Sequence, residues 1–192
     1  MTAIVDYRAG NLTSVKLAFD ALSADSFITG DPQAILAADR VVFPGVGAAA
    51  SAMGNLRALG LADAVRAAAA EKPFLGICLG MQILFDSSEE DGGVATLGVL
   101  PGRVRRFPSV SGCKVPEIGW NAVTATDGSP MGEFYFVHGY YAELCPYTCG
   151  RTEYAGVDFT AMVRKGRLWA CQFHPEKSGR TGLALLKEWL SC

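Results

Sequence analysis

The segment Gly76-Ile77-Cys78-Leu79-Gly80 sets a cysteine between two glycines, where an apolar run (Pro73 to Ile77) gives way to a helix-like pattern, LGMQILFD. A glycine–x–nucleophile–x–glycine run at a strand-to-helix joint is the pattern of a nucleophile elbow. Such a turn is tight enough to strain the nucleophile's backbone. Small residues two before and two after it avoid a clash where the helix crosses back over the strand. Cys78 then stands above the C-terminal end of its strand, where a helix begins, and free N–H groups and the helix dipole there favour a thiolate. The N–H of Leu79 points at the oxygen that gains charge when Cys78 attacks a carbonyl. The competing reading is an inert buried thiol in a glycine-rich turn.

A thiol that cleaves an amide needs a base that later hands its proton to the departing amine. The chain has 2 histidines, His138 and His174. His174 lies in QFHPE with Glu176 two residues on. In extended chain those side chains project to one side, so the carboxylate can orient the imidazole and fix its tautomer. His138, in FVHGYY, has no such neighbour, although Glu143 is not far away in sequence, and it reads as a histidine hydrogen-bonded at a strand end. Cys78, His174 and Glu176 thus form the set a thiol hydrolase requires. A second oxyanion donor is expected from FPGVG, Phe43 to Gly47, where Gly45, Val46 and Gly47 follow a neighbouring strand. Glycine lets a backbone N–H turn toward a ligand without a Cβ penalty.

The elements that must position these residues alternate. Short β-branched runs at Ala3 to Tyr7, Ser26 to Thr29, Arg40 to Gly47 (broken at Pro44) and Pro73 to Ile77 read as strands. LTSVKLAFDAL repeats Leu12, Val15, Phe19 and Leu22 on one helical face. Ala48 to Leu56 and Leu61 to Glu71 are alanine-rich and helical, and LGMQILFD is expected to be a helix. Strand–helix alternation implies an α/β fold, a three-layer sandwich around a mostly parallel sheet. The second half differs. GVLPGRVRRF, KVPEIGWNAV and FYFVHGYYAEL read as shorter strands between turns. FTAMVRKGRLWACQFHPE reads as a hairpin with Lys165-Gly166 at its turn, and Thr181 to Leu190 as a last helix. Without repeats or linkers, residues 1–192 read as one domain with an antiparallel C-terminal addition.

The 192 residues are 50% hydrophobic and carry 17 basic and 19 acidic side chains. The balance argues against nucleic-acid binding, which needs a basic excess. No apolar run approaches the ~20 residues that span a bilayer, and MTAIVDYRAG lacks the pattern of a signal peptide, so a cytoplasmic, non-membrane protein is expected. Cys78, Cys113, Cys145, Cys149, Cys171 and Cys192 form no close-paired disulfide framework. Cys145 and Cys149 lack further ligands for zinc. No metal and no cofactor is expected.

VDYRAGN, FPGVG, GICLGMQ, KVPEIGWN, YFVHGYY and QFHPEKSG together resemble the class I (triad) glutamine amidotransferases over nearly the whole chain. DYxxGN, PGVG, GWN and HPEKSG narrow the resemblance to the glutaminase subunits of imidazole glycerol phosphate synthases. The resemblance implies that Cys78 attacks the carboxamide of L-glutamine, that a γ-glutamyl thioester forms, and that His174, oriented by Glu176, serves ammonia release and then hydrolysis. It also implies that Gly47, Gln82, Glu90, Gly139 and Tyr140 hold the glutamine. The implied partner is a cyclase subunit, an eight-stranded α/β barrel that receives the ammonia. Asn11, Trp120, Tyr135 and Lys177 match positions near that contact. From sequence alone Glu90 suits a substrate ammonium and equally a solvated acidic turn, while Trp120 and Tyr135 suit an interface and equally a core.

Three positions depart from the family pattern. Arg8 stands where glycine is usual, tolerable only at negative φ. Glu117 replaces a common histidine. Gly139 replaces serine or threonine, which is harmless if backbone groups hold the glutamine. Two other readings remain open on sequence grounds: a glutaminase serving another synthase (anthranilate, aminodeoxychorismate or pyridoxal phosphate type), and a non-catalytic regulatory protein on the same scaffold.

Overall fold

The computed structural model describes residues 1–192. In the first half, β-branched and aromatic runs form strands and the amphipathic stretches between them form helices. These are β1 (Thr2–Val5), α1 (Leu12–Ala21), β2 (Ser26–Thr29), α2 (Pro32–Ala37), β3 (Arg40–Gly45), α3 (Ala49–Ala58), α4 (Ala62–Glu71), β4 (Phe74–Cys78) and α5 (Leu79–Gln82). The second half holds β5 (Ser87–Ser88), β6 (Val94–Ala95), β7 (Arg103–Arg106), β8 (Glu117–Ala125), β9 (Pro130–His138), β10 (Tyr140–Ala142), β11 (Thr148–Tyr154), β12 (Val157–Lys165), β13 (Leu168–Cys171) and α6 (Gly179–Leu190). Local chemistry marks the starts of α1 and α2. Asn11 caps α1 by accepting from the Ser14 N–H, and Asp31 caps α2 ahead of Pro32.

The sheet runs β2-β1-β3-β4-β13-β12-β10-β7-β5-β6, with β11, β8 and β9 branching from β12. The five strands from β2 to β13 are mutually parallel. β12 turns the direction, and the β8–β9 hairpin is antiparallel. Alternation along the buried strands feeds two cores. On one face Val41 and Phe43 pack with Met53 and Leu56 of α3 and with Val65 and Ala68 of α4. On the other, Val42 packs with Val15 and Phe19 of α1 and with Leu186 and Trp189 of α6. Helices on both faces give the three layers expected from the alternation.

Several local expectations change. β3 is not broken at Pro44: Pro44 pairs in register with Ile77, and Gly45 with Cys78. Val41 donates to Pro73 on the β4 side, so by alternation the Pro44 nitrogen faces the β1 side, where pairing has ended at Val42. No ladder bond is lost there. The helix expected over LGMQILFD is regular only from Leu79 to Gln82. The carbonyls of Ile83, Leu84 and Phe85 are taken by N–H groups of Leu97 to Leu100, so a crossing loop replaces the next helical turn. The β12–β13 hairpin pairs Lys165 with Leu168, so its turn is Gly166-Arg167, one residue later than expected.

Candidate active site

Cys78 ends β4 with φ 55° and ψ −115°. A non-glycine residue there costs about 1–3 kcal/mol and persists only where its surroundings enforce it. Here β3 and β13 flank β4 on both sides and hold the strand to its last residue. The glycine requirement is steric. A Cβ on Gly80 would lie 1.9 Å from the Phe43 carbonyl oxygen, so the first helical turn crosses the neighbouring β3. A Cβ on Gly76 would meet Gly80 O at 3.1 Å. Leu79 is the first residue of α5, so its N–H has no acceptor within the helix.

His174 follows β13 by three residues and is buried. Its Nδ1 lies 2.8 Å from Glu176 Oε1, both side chains being at most 2% exposed. The pairing does not arise from extended chain, as expected, but from a 3-10 turn over Pro175–Lys177 that brings the carboxylate back to the Nδ1 edge of the ring. With Nδ1 occupied, Nε2 is left without an N or O partner. Burial pushes the imidazole pKa down, but the Cys78 and Glu176 side chains outweigh it and carry it from 6.5 up to about 10. The protonated imidazole is thereby favoured over the neutral ring. The sulfur itself contacts the Val137 carbonyl oxygen at 3.9 Å and the Gln172 amide nitrogen at 3.8 Å.

Cys78 and His174 line one cavity of about 230 Å³, together with Val46, Gly47, Leu79, Gln82, Glu90, Val137, His138, Gly139 and Tyr140. All five residues expected to hold glutamine are therefore on its wall. Glu90 is half-buried, with Oε2 accepting from the Ala49 N–H at 2.7 Å. Burial raises its pKa, partly offset by that hydrogen bond. Gln82 donates from Nε2 to Tyr140 O and to Gln172 Oε1, each at 2.8 Å. Of the oxyanion candidates, Leu79, Val46 and Gly47 reach the cavity, the last at φ 95°. Gly45 does not: it packs behind the cavity, where a Cβ would meet Tyr7 Oη at 2.5 Å.

Residues 7–190 match the family described as glutamine amidotransferase class-I. The chain belongs to the class I glutamine amidotransferases. The amidotransferase is 47% identical over 199 residues to the imidazole glycerol phosphate synthase subunit HisH of Herpetosiphon aurantiacus, covering 99% of this chain and 93% of that one. It is 48% identical to the subunit of the same name from Moorella thermoacetica, covering 97% and 92%. Among solved structures, a crystal structure of a glutamine amidotransferase matches with TM-score 0.75 at 20% identity over 98% and 97% of the two chains, a likeness of fold.

Around the amidotransferase's cavity, three of the four residues expected at a subunit contact adjoin His174 or Glu176, and Trp120 is tied to them through Tyr135. The His174 N–H donates to Tyr135 O, and Tyr135 faces Trp120 across the β8–β9 ladder, ring centroids 6.2 Å apart. Trp120 is 57% exposed, which excludes the core reading for it, and Tyr135 is half-buried. Asn11 lines a crevice with His174 and Glu176, and Lys177 is exposed on the 3-10 turn.

The departures resolve differently from one another. Arg8 sits at φ 63° despite its side chain, exposed and with its N–H bonded to Asp6. The expectation of negative φ is wrong because the turn out of β1 fixes the backbone and leaves the side chain in solvent. A Cβ on Gly139 would meet only ordinary contacts, at 3.7 Å and beyond. Glu117 is buried with Oε2 3.0 Å from His138 Nε2, while Asn121 donates to its Oε1. His138 therefore does have a carboxylate partner, brought by the β8–β9 register rather than by sequence proximity. Glu143 pairs with Arg105 instead. His138 Nδ1 lies 2.7 Å from Tyr140 O, so that nitrogen carries a proton and the ring braces the cavity wall.

Two residues escaped sequence reasoning. Gln172 sits inside the QFHPE motif, and a polar side chain in an otherwise apolar strand end was its only signal. Tyr7 is fully buried with an unpartnered hydroxyl beneath Gly45. Burial, then the nearby Cys78, raises its pKa further above its ordinary range. No helix of the amidotransferase is long and apolar enough to cross a membrane.

Proposed function

We propose that residues 1–192 act as one unit, the glutaminase subunit of imidazole glycerol phosphate synthase in the cytoplasm. L-glutamine enters the cavity with its side-chain carboxamide at Cys78. Glu90 meets the α-ammonium by charge, its Oε2 already held by the Ala49 N–H. Gln82, both of whose amide protons are spent on Tyr140 and Gln172, presents its oxygen to the substrate. Gly47 and the backbone of Gly139 and Tyr140 complete the hold. The Cys78 thiolate adds to the amide carbon, and the charge on oxygen is met by the N–H of Leu79 and by an N–H of the Val46–Gly47 segment. The His174 imidazolium gives its proton to the leaving nitrogen, ammonia departs, and a γ-glutamyl thioester remains. His174, now neutral, takes a proton from water, which attacks the thioester. Glutamate leaves and the thiolate returns.

The ammonia passes to a cyclase subunit, an eight-stranded α/β barrel, that makes imidazole glycerol phosphate and aminoimidazole carboxamide ribotide. Trp120 and Tyr135 are rigid, amphipathic anchors for that partner, with Asn11 and Lys177 beside them. The observation that carries this reading is the convergence of Cys78, His174, Glu90 and Gln82 on one cavity. Relatives 47% and 48% identical that bear the synthase subunit's name support the choice of acceptor.

The test combines the chain with a cyclase barrel and its nucleotide ligand. Glutamate release should rise when the ligand binds. Cys78→Ala should abolish glutamine-dependent synthesis and leave synthesis from ammonium salts intact. Loss of both activities in that variant, or stimulation by a different synthase, counts against the proposal.

A further inference from the structure

A carboxamide in the core needs a reason. Gln172 is 0% exposed, between Cys171 and Phe173, which are equally buried. An unbonded amide there would cost several kcal/mol on transfer from water, so its partners define its orientation. The assignment starts at a group that cannot be turned around, the backbone carbonyl of Tyr140. Only an NH₂ can face it, so the Gln82 atom 2.8 Å away is Nε2. The second proton of Gln82 Nε2 points to Gln172 at 2.8 Å, and the Gln172 atom there must be an acceptor, Oε1. The remaining Gln172 atom is the NH₂, and it lies 3.8 Å from Cys78 Sγ. His138 Nδ1 takes the other lone pair of Tyr140 O at 2.7 Å, which closes the network at its far end.

We propose that Gln172 is a further catalytic residue: its amide, locked by Gln82, donates to the Cys78 sulfur and so favours the thiolate that attacks. A hydrogen bond offered to the charged form stabilises that form over the thiol. The Val137 carbonyl, 3.9 Å from Sγ, is an acceptor and suits only the thiol, so of the two contacts it is the Gln172 amide that suits the thiolate. Because Gln82 fixes the amide and also lines the cavity, one network orients the substrate wall and the nucleophile together. In its activity arm this inference rests on the glutaminase reading above; its alkylation arm does not.

The test uses Gln172→Met, which keeps length and removes the donor. The full chain is treated with iodoacetamide across pH, and Cys78 is followed by peptide mass spectrometry, since Cys113 and Cys192 are exposed and also react. The Cys78 profile should move up by about one pH unit, the tenfold change expected of one lost hydrogen bond to an ion. With the cyclase partner, kcat for glutamate release should fall about tenfold while KM for glutamine stays within about threefold. Synthesis from ammonium salts should be unchanged. A loss of packing alone would not move the alkylation profile. Should Gln172→Met lose its cooperative melt, Gln172→Glu takes its place, setting an acceptor beside the sulfur and moving the profile further in the same direction. A folded variant with the wild-type profile and kcat overturns the proposal. Absence of glutamate release from the wild type would overturn the glutaminase reading, while the alkylation arm still decides Gln172.

Discussion

Replacing Glu176 by glutamine changes one atom and tests the triad most directly. Glu176 Oε1 is 2.8 Å from His174 Nδ1, and neither side chain is more than 2% exposed, so solvent screens the pair little. A hydrogen bond to a charged group is worth about 1.5–3 kcal/mol, which converts to a fall of about 10- to 150-fold in kcat for glutamate release. The amide can still accept from Nδ1–H through its oxygen. Its NH₂ then occupies the place of Oε2, which has no partner in the native site, so a buried donor is left unsatisfied. The pH dependence follows from the direction of the His174 shift. Its pKa is raised from 6.5 to about 10, with Glu176 among the groups raising it. A raised imidazole contributes stability that is fully present below pH 6.5 and lost as pH climbs through about 10. The gap in melting temperature between wild type and Glu176→Gln should therefore be widest in mild acid and close toward pH 10. Thermal melts across that range and steady-state glutamate release, both with the cyclase partner supplied, read the two effects. A variant with kcat within twofold of wild type, or a stability gap that widens as pH rises, refutes the role given to Glu176.

Other perturbations test the parts around the triad. Gly80→Ala puts a Cβ 1.9 Å from the Phe43 carbonyl oxygen, a backbone atom that cannot swing away. A loss of at least about 3 kcal/mol is expected, a melting shift of about 6–12 °C, and a shift under 2 °C would contradict the close crossing. Arg8→Gly relieves an exposed left-handed residue and should stabilise by about 0.5–1 kcal/mol after the added freedom of the unfolded chain is set against it; chemical denaturation gives the sign. Glu117→Ala removes the carboxylate beside the buried His138 and leaves the Asn121 amide without that acceptor, and should cost about 1–3 kcal/mol, with KM for glutamine rising because His138 braces Tyr140 O. Trp120→Ala, at a side chain 57% exposed, should leave the melting temperature within about 2 °C and weaken cyclase binding about 30-fold by titration calorimetry.

The chemistry was more legible in the sequence than the mechanics that deliver it. Gly76-Ile77-Cys78-Leu79-Gly80 declares its elbow because the constraint is local: two glycines sit where crossing backbones leave no room for a Cβ. The pair His174 and Glu176 was legible as a pair, but by the wrong geometry, because Pro175 starts a 3-10 turn instead of prolonging the strand. LGMQILFD carries a helical pattern, yet its later carbonyls are claimed by residues 97–100, a tertiary bond that no local window contains. Glu117 and His138 are 21 positions apart, and only the β8–β9 register sets them opposite each other. Arg8 shows the same limit from the other side: a propensity rule gave the wrong sign of φ where a turn between packed elements dictates the backbone.

The position of β13 explains why Cys78, the proposed nucleophile, and His174, the proposed base, line one cavity. β13 pairs with β4 from Leu168↔Phe74 to Cys171↔Ile77, so the two strands end side by side, Cys78 on one and Gln172, His174 and Glu176 just beyond the other. That alignment is set by parallel ladder bonds within a buried sheet, and shifting it by one residue would turn Trp169 and Cys171 out of their core. The Val46–Gly47 segment, the proposed oxyanion donor, has no such lock. β3 ends at Gly45, and Val46, 39% exposed, and Gly47, at φ 95°, run free of the ladder along the cavity. Gly47 can rotate its peptide at small cost, since nothing lies within 4 Å of where a Cβ would be. If the Val46 and Gly47 N–H groups receive the oxyanion as proposed, any control a docked subunit exerts on the rate acts most cheaply on them, through a contribution of about 3–4 kcal/mol to the barrier, and least on Cys78 and His174.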